Sequence, residues 1–259
     1  MVNEASELGY ELVIYNVEND VHREHYFNRL PMIRRVDGLI IASLSPDDSV
    51  AQVLLRNNLP TVLIDCYNPH LTSIVVNNVD GAYQAVKKLI ELGHRRIGFI
   101  NGIIEGNFKF NQANDRLIGV HMAMAEAGIQ FDPVLMAADD WNRAGGRNAA
   151  CQLLGLPNPP TAIFAASDVQ AVGVMEVARQ RGISIPEDLS LIGFDGVELS
   201  EIMGLTTIQQ PMQQMGKMGI QRLMNSMENN HLEPQLTRLD THLIERNTTA
   251  KPASLNSAI

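Results

Sequence analysis

Three polar side chains, Ser167, Asp168 and Asp195, stand where apolar runs stop, and they are the first candidates for recognition chemistry. Carboxylates with no metal-ligating neighbours accept hydrogen bonds from hydroxyls, so they suit a small, hydroxyl-rich ligand. Arg116, near the start of a helical pattern over 114–127, offers a planar fork of five N–H donors that matches vicinal hydroxyls or a carboxylate. The same residue could equally be a surface arginine paired with Asp115. Trp141 is the only tryptophan and follows Asp139-Asp140. A flat ring flanked by acceptors fits the weakly apolar C–H face of a sugar, and it could also stack on a base or pack in a core.

The elements that must position these groups are legible around them. Ala162-Ile163-Phe164-Ala165 is a short apolar run between turn formers, the pattern of a strand buried on both faces. Ser167-Asp168 follows where a helix must begin and can cap its free N–H groups. Val169, Val172, Val174, Met175 and Ala178 recur at helical spacing, and Gly182 closes that helix. After the turn at Pro186-Glu187-Asp188, residues 189–194 read as the next strand and end in Asp195-Gly196. A strand–helix–strand unit of this length is a parallel crossover. Ser167-Asp168 and Asp195 therefore share one carboxyl edge of a sheet, the edge where doubly wound folds bind ligands.

The same alternation runs through the rest of the chain. Residues 1–8 read as a helix closed by Gly9, 11–16 as a first strand, and 19–35 as a polar helix broken by Pro31. Strands are predicted over 38–42, 61–65 and 73–76, with a helix over 47–57 capped from Ser45-Pro46. A second series follows: a helix to Leu92 capped by Asp80, a strand over 96–100, a helix over 114–127, a short strand within 132–138 and a helix over 142–154. An extended crossover over 206–211, a helix over 212–227 and a last strand over 238–245 complete the pattern. Residues 247–259 read as a frayed tail. Repeated strand–helix alternation means α/β architecture, and two successive series suggest two lobes with a cleft between them.

Composition narrows the function classes. The formal net charge is −9, and no basic stripe breaks it, so phosphate contacts by this stretch are disfavoured. His94-Arg95-Arg96 is the densest basic cluster and reads as a solvated helix end. Cys66 and Cys151 lie far apart with no CxxC, which reads as two free thiols in a reducing cytosol. No signal-peptide pattern or membrane-spanning apolar run is present, so the expected location is cytoplasmic. His22 and His25 share a helix face but lack a third ligand, and no metal or cofactor is expected. GxSxG, P-loop and GxGxxG patterns are absent, so no catalytic residue is assigned and an enzyme is not expected.

The run SDVQAVGVMEVARQRGISIPEDLSLIGFDG, followed by LTTIQQPMQQMGKMGIQRLM, resembles the effector-binding region of LacI/GalR-type bacterial transcriptional regulators, and the resemblance extends from about Glu4 to Thr249. It implies a two-lobed periplasmic-binding-protein-like fold, each lobe a parallel sheet with helices on both faces, joined by a three-strand hinge. The N-terminal lobe would comprise 1–76 plus 211–234, and the C-terminal lobe 77–210 plus 235–249, leaving 250–259 as a tail. Arg116, Asp195, Trp141, Ser167, Asp168, Asp65 and Met212 fall on positions that hold the effector in the inter-lobe cleft. Asp168 could instead be a helix cap, and Gly196 replaces the second acid or Asn that many relatives carry.

The implied ligand is a sugar or sugar derivative, and the implied state is a homodimer with no membrane partner. Operator DNA would be reached only through an N-terminal helix-turn-helix that these residues do not include. A first strand, central in the N-terminal sheet, would also precede the equivalent of Met1. The expectation is therefore a truncated or misplaced start, with a first lobe that is unstable or repaired by another segment or chain. A sugar-binding receptor of an ABC transporter and a nucleoside- or purine-sensing repressor are the alternatives.

Overall fold

A computed structural model describes residues 2–17, 20–29, 36–103, 111–229 and 233–253. In chain order its elements begin with α1 (Val2–Glu7), α2 (Asp20–Arg29), β1 (Leu39–Ala42), α3 (Asp48–Arg56), β2 (Thr61–Ile64) and β3 (Thr72–Val76). Then come α4 (Asn78–Glu91), β4 (Ile97–Gly102), α5 (Asn111–Glu126), β5 (Met136–Asp139), α6 (Arg143–Leu153), β6 (Ala162–Ala165) and α7 (Asp168–Gln180). The chain closes with β7 (Ser190–Asp195), α8 (Glu198–Ile202), β8 (Thr206–Gln209), α9 (Met212–Glu228), β9 (Leu236–Leu239) and β10 (His242–Ile244). It divides into two compact units: Met1–Val76, Glu105–Asn111 and Pro211–Leu239; and Asn77–Ile104, Gln112–Gln210 and Asp240–Ile259.

The first unit is built on a sheet of order β1-β2-β3-β9. Its strands are parallel, and β2 is buried along its length. On one face Ala51 and Leu54 of α3 pack with Ile41, Leu63 and Leu71. On the other, Met215 and Leu223 of α9 cover Val62, Ile64, Ile74 and Val76. Burial on both faces explains why these strands read as continuous apolar runs.

The second unit carries a six-stranded sheet of order β10-β8-β7-β6-β4-β5. It is parallel except for the edge strand β10, which runs antiparallel to β8. Ala82, Val86 and Leu89 of α4 and Val120 and Met124 of α5 bury one face against Phe99, Phe164 and Phe194. Ala149 and Leu153 of α6 and Val174 and Val177 of α7 bury the other against Ile100, Ile163 and Leu191.

Several local expectations change. The strand expected over 11–16 does not form: Leu12, Val13, Ile14 and Tyr15 are exposed, Ile14 at 77%. A strand needs a hydrogen-bonded neighbour, and among the described strands β1 ends the sheet. Asp47, not Ser45, caps α3 by accepting from Val50 N–H. Asn77, not Asp80, caps α4, because the capping oxygen belongs to the residue three before the donor. The helix predicted over 19–35 is described only as far as Arg29, and residues 30–35 lie outside the described set.

The last strand, expected over 238–245, is two strands in two sheets. β9 pairs in parallel with β3 and β10 antiparallel with β8, so residues 236–239 belong to the first unit rather than the second. The tail is stitched down at its start. Leu191 N–H donates to Thr248 O at 2.7 Å, and Asn247 N–H to Gly204 O at 2.9 Å.

His94 also departs from the reading of a solvated helix end. It is 1% exposed, below the amino ends of β4, β6 and β7. Its Nδ1 lies 2.9 Å from Thr161 Oγ1, and its Nε2 lies 2.9 Å from Ala250 O. Arg95 does behave as expected, donating to the helix-end carbonyl of Ile90 at 3.1 Å.

Candidate functional site

The carboxyl edge of the second unit's sheet gathers Arg116, Trp141, Ser167, Asp168 and Asp195. Arg116 projects from α5 and is 3% exposed, an unusual burial for a guanidinium without good partners. Its Nε donates to Asn78 Oδ1 at 2.9 Å, and one Nη donates to the Ala166 carbonyl just past β6. The other Nη stands 3.9 Å from Asp195 Oδ1 as an ion pair. The guanidinium carbon lies 3.6 Å from the Phe194 ring centroid and 5.3 Å from that of Trp141. A desolvated cation over an aromatic face gains on the order of 2 kcal/mol. Beneath it, Phe194, Phe164 and Phe99 form an aromatic column, the last two stacked at 5.3 Å.

Asp195 ends β7 with φ +119°, a conformation that L residues rarely adopt. Its Oδ1 accepts from Gln210 Nε2 at 2.7 Å, and its carbonyl accepts from Gln210 N–H at 3.0 Å. The Asp195 side chain remains 20% exposed while Arg116 opposite is nearly enclosed, so the carboxylate is the more accessible member of the pair. Trp141 follows β5, and its indole packs closely against Gly102 at the end of β4. A Cβ at Gly102 would fall inside the indole, which is why this position must lack a side chain.

Ser167 and Asp168 are committed to the protein. Ser167 is the N-cap of α7, its Oγ accepting from Gln170 N–H at 3.1 Å. Asp168 is not a cap. Its Oδ2 accepts from the N–H groups of Gly196 and Val197 at 2.8 and 3.0 Å, and its Oδ1 from Thr207 Oγ1 at 2.5 Å. Burial pushes its carboxyl above the usual carboxylate range, and these donors oppose that shift.

Asp65 and Met212 belong to the first unit. Asp65 follows β2 with φ +56°, and its Oδ2 accepts from Ser43 Oγ at 3.2 Å. Beside it Cys66 is buried, and desolvation raises its thiol pKa far above the ordinary value. Met212 opens α9 and is 45% exposed. A cavity of about 630 Å³ in this unit is lined by Leu59, Pro60, Thr61, Leu71, Thr72 and Pro234 among others. It sits at the amino ends of β2 and β3, and none of the candidate residues lines it.

Asn78, Phe194 and Gln210 take part in the carboxyl-edge cluster without having been singled out from sequence. Gln210 carried one signal, its place directly after a strand and before Pro211. Phe194 reads only as core until a cation is placed over it. Among the described residues no group of three His, Cys, Asp or Glu side chains is arranged to hold a metal ion. Among them, too, no helix is long and apolar enough to cross a membrane.

Comparison with known proteins gives this edge its context. A periplasmic binding protein-like domain matches residues 86–249. The HTH-type transcriptional repressor CytR of Escherichia coli K12 is 35% identical over 250 residues, covering 95% of this chain and 72% of its own. The repressor PurR of Aliivibrio salmonicida is 29% identical, covering 94% and 73%. Among solved structures, a transcriptional regulator CelR–cellobiose complex superposes with a TM-score of 0.83 at 29% identity, over 94% of this chain and 75% of that one. A LacI family transcriptional regulator from Mycobacterium smegmatis gives 0.81 at 29% identity, over 96% and 91%. These matches span both α/β units, and the chain belongs to the LacI family of transcriptional regulators, of which it carries the effector-binding, periplasmic-binding-protein-like domain.

Proposed function

We propose that the effector sensed by this domain is a small sugar or sugar derivative, held at the carboxyl edge of the second unit's sheet by Arg116, Asp195 and Trp141. The observation that carries the reading is the convergence of an ion-paired guanidinium, a partly exposed carboxylate and an indole from three separate elements. A carboxylate accepts from two hydroxyls, a guanidinium donates to ring and hydroxyl oxygens, and an indole covers the C–H face. The cellobiose bound by the related regulator supports the same ligand class. Asp65 and Met212 are proposed as effector-binding residues on the resemblance alone.

Ser167 is retained as a wall of the site, since its hydroxyl accepts from Gln170 N–H and donates to Gln170 Oε1 at 3.4 Å. The protein works in the cytoplasm and assigns operator contact to a separate helix-turn-helix, whose affinity the effector shifts by its differential binding to two states. A two-fold dimer matches paired half-sites. No catalytic step is assigned.

A thermal-shift screen over mono- and disaccharides, nucleosides and purines tests the ligand class. A sugar hit that Arg116→Ala abolishes is the expected result. A response confined to nucleosides or purines overturns the sugar assignment, and an unchanged sugar response in Arg116→Ala removes that residue from the site.

A further inference from the structure

The end of β7 holds its shape against its own backbone preference. Asp195 and Gly196 follow one another at φ +119° and +71°, and a non-glycine residue keeps such a conformation only where its surroundings over-determine it. Asp168 supplies much of that determination from the neighbouring strand–helix junction. One of its carboxylate oxygens takes both N–H groups that follow Asp195, those of Gly196 and Val197. The other takes the Thr207 hydroxyl and so ties the junction to β8. The carboxylate sits in a notch left by Gly193, where any Cβ would strike Oδ1. Asp168 is 1% exposed, so its oxygens face protein donors rather than solvent.

We propose that Asp168 is a positioning residue: a strut that fixes the strained turn after β7 and thereby aims the Asp195 carboxylate, rather than a contact to the effector. The inference rests on reading Asp195 as an effector-binding group, but the strut itself can be measured with no ligand present. A carboxylate acts here as an acceptor pair. Asparagine can replace it, giving one oxygen to the two N–H groups and its amide nitrogen to Thr207 Oγ1, which can accept. Alanine leaves both N–H groups without a partner.

Amide hydrogen exchange on the whole chain tests this. In the wild type the Gly196 and Val197 amides are expected to be protected, although they lie outside any strand. Asp168→Ala should speed their exchange about tenfold or more, the usual consequence of losing a hydrogen bond to a charged acceptor. The Ile163 and Ile192 amides should keep their protection in that variant. Asp168→Asn should restore most of the protection, a rescue that a general loss of packing would not show. Thr207→Val should leave both amides protected, because it touches only the other oxygen.

Unprotected Gly196 and Val197 amides in the wild type would overturn the proposal, and this outcome needs no variant to fold. So would Asn behaving like Ala, or exchange accelerating equally throughout the sheet. Intact strut behaviour in a protein that answers no sugar would discard the effector reading and leave the strut standing.

Discussion

The two ends of the second unit's sheet both bury polar side chains, and they do so in opposite ways. At the amino end, His94, Thr161, Ser190 and Ala250 form a neutral set. Ala250 O can only accept, so His94 Nε2 carries the proton and Nδ1 accepts from Thr161. At the carboxyl end the groups are charged: a guanidinium 3% exposed, a carboxylate beside it, and a second carboxylate, Asp168, 1% exposed. There the backbone departs from its usual range at Asp195.

A matched neutral network costs little to bury, whereas each buried ion costs several kcal/mol before its partners compensate. Burial alone therefore does not mark a site. Charge retained in a dry place, together with backbone strain, does.

The contrast can be broken at its most charged point first. Arg116→Ala should cost roughly 3 kcal/mol or more, because it leaves Asn78, Ala166 O and Asp195 without their cation, and it should abolish the sugar response. Chemical denaturation gives the stability and thermal shift the response. A variant as stable as wild type would mean the guanidinium is not held as described.

Gly102→Ala should come next, at about 1–3 kcal/mol, with Trp141 emission shifted to the red as the indole is pushed off β4. Unchanged emission would contradict the close approach. Asp195→Asn keeps the volume and removes the charge. On the proposed reading it should weaken sugar binding about tenfold while stability falls less than in Arg116→Ala. Equal losses in the two would erase the distinction between a buried anchor and an accessible contact.

The smallest effect belongs to the neutral end. Burial lowers the His94 pKa from its ordinary 6.5, so the unfolded chain binds the extra proton in the window between the folded value and 6.5. Its stability contribution is complete above pH 6.5 and is lost as pH falls through that window, with a ceiling of ~1.4 kcal/mol per pH unit for one proton. The melting temperature should fall between pH 7.5 and 5.5, and His94→Gln should flatten that slope. An identical slope in the variant would place the acid sensitivity elsewhere.

Much of the scaffold could be read before any coordinates. The apolar runs at 162–165 and 189–194 had to be strands buried on both faces, and the intervening 3.6-residue period had to be a helix, because period and length are local properties. That the tips Ser167-Asp168 and Asp195 share one sheet edge followed from the handedness and direction of a parallel crossover. The resemblance to LacI-type regulators, which runs from about Glu4 to Thr249, assigned Arg116 and Trp141 to the site and added Asp65 and Met212, which no local pattern singles out.

Other features depended on neighbours remote in sequence. The apolar segment at 11–16 carries a strand pattern yet pairs with no described strand, and pattern cannot supply a partner. Residues 238–245 read as one strand, but hydrogen bonding to β3 and then to β8 divides this stretch between two units. His94 stood in a basic triplet and turned inward because Thr161, Ser190 and Ala250 offered matched partners from three distant segments. Asp168 looked like a cap or a ligand; Ser167 is the cap, and the donors that Asp168 accepts from lie 28 to 39 residues away. Residue type and spacing determined which groups could do the chemistry and which elements would carry them. Only the packed chain decided which of those groups hold one another in place, since desolvation and hydrogen-bond matching arise from residues that sequence order keeps apart.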